Sequence, residues 1–153
     1  MRDFEKISFE QFKTDITNDI NLYNEYKLPQ RDSDSTAGYD IYLLQDLIIK
    51  PGEIKKIPTG IKSFFQKDEV LFLIVRSSTG FKYNIRLCNQ VGVIDADYYN
   101  NKSNEGHIWA KIQNESEETV SIPKGEAIIQ GIFLKYLTTN SDKNINKERE
   151  SDY

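Results

Sequence analysis

Between Ser8 and Tyr23 the apolar residues Phe9, Phe12, Ile16, Ile20 and Tyr23 recur at three or four positions, which places them on one stripe of a helix. Ser8 and Gln11 fit a capping box, and Ile7 with Phe12 fits the hydrophobic staple that accompanies one. The spacing predicts a single helix over residues 9–23, packed by its stripe on a core or a neighbouring subunit. From Leu28 onward the texture changes to short apolar runs. Strands are predicted at Leu47–Ile49, Ile54–Ile57, Val70–Val75, Ile85–Cys88, Val91–Ile94, Ile108–Ile112, Val120–Ile122 and Ala127–Leu134. The turn signals Pro51-Gly52, Thr59-Gly60 and Lys124-Gly125 separate several of them. Ile108, Ala110 and Ile112 alternate with Trp109, Lys111 and Gln113, the period of a strand with two unlike faces. Many short strands with no helical pattern between them predict an all-β sandwich, barrel or jelly roll.

The last stretch, Thr138–Tyr153, is polar and charged and cannot bury enough surface to order itself alone. The expected organisation is therefore one β domain over residues 1–137, followed by a flexible arm over 138–153. A length of 153 residues agrees with one domain. The net charge of -4 and pI of about 5.1 argue against sequence-independent binding to DNA or RNA, which rests on basic stripes. A single nucleotide is not excluded, because its phosphates need only a few local donors and a metal. No apolar stretch approaches the roughly 20 residues of a membrane span, and the N-terminus lacks the apolar core of a signal peptide. A cytoplasmic protein without a membrane partner is expected. Cys88 is the single cysteine and sits in an apolar run, which predicts a buried, inert thiol.

Four segments put small or polar residues where a β protein would place core. In Ala37-Gly38-Tyr39-Asp40-Ile41, Gly38 permits a sharp turn or a close approach to a ligand, and Asp40 either caps a strand or serves a site. Arg76-Ser77-Ser78-Thr79-Gly80 follows an apolar run and reads either as a polar turn or as an oxyanion cradle. In Asn89-Gln90-Val91-Gly92-Val93-Ile94-Asp95-Ala96-Asp97-Tyr98, Gly92 lies mid-strand, which marks a close backbone approach. Its extended backbone could match the acceptor–donor–acceptor edge of uracil, with Asp95 placed to deprotonate water and Tyr98 offering a flat face to a sugar. A plain hairpin with an Asp-Ala-Asp turn is the other reading. In Lys124–Phe133, Gln130 interrupts an apolar strand and either satisfies backbone groups or points into a polar site.

In this order and spacing the four segments resemble the first four motifs of the trimeric dUTPase family, from about Lys27 to Phe133. The resemblance implies a jelly-roll subunit with an N-terminal helix, three subunits sharing three active sites, and Mg2+-dependent hydrolysis of dUTP to dUMP and pyrophosphate. It implies that Asn89 and the backbone of the Gln90–Ile94 hairpin, including Gly92, Val93 and Ile94, recognise uracil. Asp95 would act through a water as general base and bind the 3′-OH, and Tyr98 would pack where a 2′-OH would lie, excluding UTP. Ser77, Ser78 and Arg76 would serve the triphosphate, and Gln130 would lie close to the phosphates and the attacking water. Asp40 would reach the magnesium ion only through water, the ion being held mainly by phosphate oxygens and waters. Arg149 and Tyr153 match the γ-phosphate contact and the uracil stacker of the family's closing arm, but the glycines normally between them are absent. That departure implies either a chain cut short inside its lid or a site that closes poorly, and reduced turnover is expected of this chain. A polar insertion, Asn100–Gly106, follows the third motif, and no catalytic role is expected of the adjacent His107. Two alternatives share the fold: a dCTP deaminase-like enzyme and a catalytically weak nucleotide-binding regulator. The run Asp95-Ala96-Asp97-Tyr98 disfavours the first, and Asp95, Ser77 and Gln130 disfavour the second.

Overall fold

The computed structural model describes residues 1–142 and 149–150. The predicted N-terminal helix is broken in two, α1 (Phe9–Asp15) and α2 (Ile20–Glu25). Asp19 starts the second helix, its carboxylate accepting from the backbone N–H groups of Asn21 and Leu22 at 3.0 and 3.2 Å. In one continuous helix Phe12 and Tyr23 would stand about 16 Å apart along the axis. The break folds α2 back so that their rings meet edge-on, with centroids 5.2 Å apart, and Phe12 also stacks on Tyr26. Aromatic burial thus overrides helical continuity. Half of the predicted capping box forms. Ser8 Oγ accepts from Gln11 N at 3.1 Å, but the Gln11 side chain turns to Asp15, and Ser8 N donates instead to Glu105 at 2.6 Å. Ile7 and Phe12 are both fully buried, as the staple requires.

The strands are β1 (Asp3–Lys6), β2 (Gln30–Arg31), β3 (Tyr39–Tyr42), β4 (Leu47–Ile49), β5 (Ile54–Pro58), β6 (Ile61–Phe64), β7 (Glu69–Val75), β8 (Ile85–Leu87), β9 (Gly92–Ile94), β10 (Trp109–Asn114), β11 (Val120–Ile122) and β12 (Ala127–Lys135). A third helix, α3 (Ser77–Tyr83), follows β7. The largest sheet has the order β2-β3-β12-β7-β9, and a second has the order β5-β10-β8. Two-stranded ribbons β1-β6 and β11-β4 complete the set, and all described pairings are antiparallel. Alternating side chains from these sheets, among them Ile41, Leu71, Leu73, Ile94 and Ile112, meet in one core that also takes in Phe4, Phe12 and Tyr26. The short-strand pattern leaves sandwich, barrel and jelly roll open, and the layering is the all-β jelly roll that the family resemblance implies. No helix among the described residues is long and apolar enough to cross a membrane.

His107 ties the helical cap to the strands. Its Nδ1 lies 2.6 Å from Asp15 Oδ2, and its Nε2 accepts from the backbone N–H of Gly60 at 2.9 Å. An Nε2 that accepts carries no proton, so the folded ring is neutral with its hydrogen on Nδ1. Burial pushes the His107 pKa below its ordinary value, against the opposing pull of Asp15. The unfolded chain therefore binds a proton more readily than the folded one. The stabilisation is complete above about pH 6.5 and is lost as pH falls through the folded pKa, with a slope of at most about 1.4 kcal/mol per pH unit. Because His107 is the only histidine, the urea midpoint should fall between about pH 7.5 and 5.5 in the wild type and much less in His107→Gln. An equal slope in both proteins would exclude this residue as the source.

Candidate active site

Three of the four polar segments converge across β3, β12 and β7. Gln130 lies opposite Asp40 on one side and Ile74 on the other. Arg76 leaves the end of β7 with its backbone N–H on Ile128 O at 3.1 Å, and its Nε lies 3.0 Å from Asp40 Oδ1. Gln130 Nε2 donates to Val75 O at 3.3 Å. The buried Thr79 hydroxyl donates to Ile128 O at 2.8 Å and pins α3 onto β12. Ser77 and Ser78 open α3 and are exposed. The first N–H groups of a helix have no intrahelical acceptor, so hydroxyls and amides are offered together there. Burial pushes the Asp40 carboxyl up from its ordinary value, and the Arg76 guanidinium acts against that shift. The cluster can hold an anion, with Asp40 keeping the arginine in place.

Gly38 is explained by its neighbour. A Cβ at this position would fall 1.9 Å from Gln130 Oε1 and 2.8 Å from its Cδ. The missing side chain makes room for Gln130, rather than for a turn or a ligand. Gly38→Ala should push the flexible Gln130 amide off Val75 O and destabilise the fold by about 0.5–1.5 kcal/mol, the size of the one hydrogen bond lost. Urea denaturation checks this, and a midpoint equal to the wild type would mean that Gln130 has another place to go.

The third segment departs from the predicted hairpin. β8 pairs with β10, and β9 pairs with β7, so the two arms belong to different sheets. A tight turn joins them, with Gln90 N donating to Leu87 O at 3.0 Å, Val91 N donating to Asn89 O at 2.7 Å, and Gln90 at a φ of 65°. The arms splay because each finds a longer strand to pair with than the other arm offers. Between them opens a cleft of about 300 Å³, lined by Leu87, Cys88 and Asn89 on one side and Gly92 on the other. Cys88 is half-buried in that wall, not sealed in the core as its apolar run suggested, because its position is the last before the turn. Gly92 is required by packing, since a Cβ would approach Leu73 Cβ to 3.0 Å. Val93 is exposed, Ile94 is buried, and Asn89 stands exposed at the turn. Both β8 and β9 are edge strands, and an edge strand presents a row of unpaired N–H and C=O groups. A larger cleft of about 680 Å³, between Lys82 and the 115–121 turn, contains none of the four segments.

Asp95 follows β9 and is exposed. Ala96–Tyr98 form a single 3₁₀ turn closed by Tyr98 N donating to Asp95 O at 3.1 Å. Tyr98 is buried, and its hydroxyl donates to His107 O at 2.7 Å. Arg149 from the arm lies with Nη1 3.2 Å from both Asp95 Oδ2 and Asp97 Oδ1, and its guanidinium stands 5.1 Å over the Tyr98 ring. Tyr153 lies outside the described residues.

One chain thus holds two groups. Leu71 faces Ile94 across the β7–β9 ladder, which sets Asp95 level with Val70. Arg76 is six residues further along, about 20 Å at the rise of a strand. Asp40, Arg76, Ser77, Ser78 and Gln130 come together, and so do Asp95, Tyr98 and Arg149, but the two groups do not meet within the chain. Among the described residues no group of three or more His, Cys, Asp or Glu side chains is placed to hold a metal ion. Sequence reasoning passed over Thr79 and Asn104, whose partners Ile128 and Tyr98 are fixed only by tertiary structure. Only the Asn104-Glu105-Gly106 turn composition hinted at the second.

The dUTPase family model matches residues 24–152. The deoxyuridine 5'-triphosphate nucleotidohydrolase of Lactococcus lactis is 45% identical over 124 residues, covering 81% of this chain and 83% of that relative. The enzyme of the same name from Pseudomonas fluorescens is 35% identical over 119 residues, covering 76% of this chain and 75% of its own. Among solved structures, the dUTPase from Streptococcus mutans superposes with a TM-score of 0.73 at 43% identity, over 90% of this chain and 98% of that one. A mutant dUTPase from phage phi11 of S. aureus, described for its coordination of a structural Mg(II) ion, shares the fold at 18% identity and a TM-score of 0.68, over 98% of this chain and 99% of that one. Ordered segments, antiparallel architecture and these matches agree: the chain belongs to the dUTPase family.

Proposed function

We propose that this chain hydrolyses dUTP to dUMP and pyrophosphate, at sites assembled from the subunits of a homotrimer. Such an activity limits uracil in DNA and supplies dUMP for thymidylate synthesis. The observation that carries the reading is Asp95, an exposed carboxylate at the end of the strand whose edge walls the 300 Å³ cleft. That volume is at the lower end of small-molecule clefts. Uracil enters between the splayed arms, where Asn89 and the backbone of Gln90–Ile94 pair with its edge. Tyr98 lies beneath the deoxyribose and leaves no space for a 2′-OH. In the present conformation Arg149 covers that ring, so nucleotide binding requires the guanidinium to leave it for the γ-phosphate. Tyr153 then stacks on the base.

The triphosphate is received by Ser77, Ser78 and the first amides of α3, a helix start being suited to anions. Asp40 orients Arg76 there, and Gln130 lies close to the phosphates and the attacking water. Because Asp95 lies about 20 Å from Arg76 on its own chain, it serves the phosphate group of a neighbouring subunit. A water oxygen attacks the α-phosphorus in line, Asp95 takes the proton, and the bond to the bridging oxygen breaks to release pyrophosphate. The donor set fits magnesium only as an ion brought with the nucleotide. With no cage of protein ligands among the described residues, and with Asp40 committed to Arg76, Asp40 would reach it through water. When bound, the ion neutralises charge on the leaving pyrophosphate.

Pyrophosphate release from dUTP, UTP and dCTP, with magnesium and with chelator, tests the proposal. Magnesium-dependent release from dUTP alone is expected. Ammonia release from dCTP, or binding of dUTP without release, would replace this reading with a deaminase or a nucleotide-binding regulator.

A further inference from the structure

The loop 100–106 is built around Tyr98. Asn101 N donates to Tyr98 O at 3.1 Å, Glu105 N to Asn101 O at 2.8 Å and Asn100 N to Glu105 O at 3.1 Å, closing the loop on itself. Asn100, Glu105 and Gly106 all have positive φ. Gly106 presses so closely that a Cβ there would fall 2.4 Å from Tyr98 O. At the other end of the residue, Asn104 Nδ2 donates to the Tyr98 hydroxyl at 2.9 Å.

The orientation of that amide follows from its own partners. Asn104 Oδ1 accepts from Gly106 N at 3.0 Å and from Asn101 Nδ2 at 3.2 Å, which turns the NH2 group towards Tyr98. A phenol has one hydrogen to give, and Tyr98 gives it to His107 O. A second contact to that oxygen must come from a donor, and Asn104 supplies it. The loop is in turn anchored outside the site. Glu105 accepts from Ser8 N at 2.6 Å and pairs with Lys62 at 3.0 Å. Tyr98 itself sits on a turn of three residues, its ring buried in the core and its hydroxyl fixed by the two contacts above.

We propose that Asn104 is a positioning residue that fixes the Tyr98 ring and thereby sets how strictly the enzyme separates deoxyribose from ribose. The consequence for the sugar rests on Tyr98 lying beneath C2′, as proposed above. A hydroxyl is excluded by a wall only if the wall does not retreat, and a displacement of about 1 Å is enough to decide such contacts. Two hydrogen bonds on the phenol oxygen hold the ring against retreat.

The test compares kcat/KM for dUTP and UTP in wild type, Asn104→Asp, Tyr98→Phe, Tyr98→Ala and the Tyr98→Phe/Asn104→Asp double variant. Asn104→Asp keeps an oxygen for Gly106 N and Asn101, so the loop retains its turn, but it replaces the donor to Tyr98 with an acceptor. Its dUTP-over-UTP ratio should fall about threefold to tenfold, the size of one hydrogen bond. In the Tyr98→Phe background the same substitution should change the ratio no further, because no hydroxyl remains to be held. Asn104→Ala is the second variant, read in the same way, with circular dichroism and thermal unfolding reporting the fold of each. If Tyr98→Ala keeps full discrimination, the placement of Tyr98 beneath the sugar is wrong. If Tyr98→Ala loses it while folded Asn104 variants keep it, or if the double variant shows additive effects, the positioning role of Asn104 is overturned.

Discussion

Asp95→Asn is expected to lower the turnover of dUTP by about two to four orders of magnitude while leaving the nucleotide bound. The amide has nearly the shape of the carboxylate, so the 3₁₀ turn closed through the Asp95 carbonyl is preserved. What is lost is the ability to take a proton from water. Arg149 now holds Asp95 and Asp97 together, and the neutral side chain also loosens that contact. Any change in dUTP affinity therefore reports the arm, and the change in kcat reports the base. Single-turnover release of pyrophosphate and equilibrium binding of a non-hydrolysable dUTP analogue separate the two. Turnover equal to the wild type would shift attention to Asp97, the neighbouring exposed acid.

Two inactive variants should restore each other. Asp95→Asn removes the proposed base, and Ser77→Ala removes a proposed phosphate donor, a loss worth about 10²–10³ in kcat for one such group. The β7–β9 register keeps these positions at opposite ends of one strand, so each chain offers one intact half. When the two proteins are unfolded together in equal amounts and refolded, random assortment combines intact halves in roughly a quarter of the sites. Activity should rise to about that share of the wild type, far above either parent. If the mixture gives only the average of the parents, base and phosphate donors are joined within a single subunit, and the shared-site arrangement is wrong.

Much of the fold was legible because short strands carry their own signature. Leu47–Ile49 and Val120–Ile122 have the predicted bounds, and the alternation in Trp109–Gln113 marks a strand with one inner face. β3 bears out the strand start read at Asp40, whereas β1, β2 and β6 carry no strand signal because polar residues dilute them, and they form by pairing rather than by propensity. The helix at 9–23 was over-extended because its stripe is continuous across a break that only the packing of Phe12 on Tyr23 and Tyr26 requires. The polar segments were recognisable as ordered motifs, but their relations were not. That Gly38 makes room for Gln130, that Asp40 pairs with Arg76, and that Ile85–Leu87 leaves Gly92–Ile94 for another sheet are facts of register, which no local pattern encodes.

The bare flank of β9 has a cost. An edge strand beside the outward-facing Val91 and Val93 is a template for a foreign strand, and proteins generally shorten, charge or cover such flanks. Here the strand is three residues long and is followed by the exposed acids Asp95 and Asp97, which limit how far an intruding chain could zip along it. An open backbone edge and resistance to self-association therefore make opposing demands on the same few residues, and the short length of the strand reconciles them.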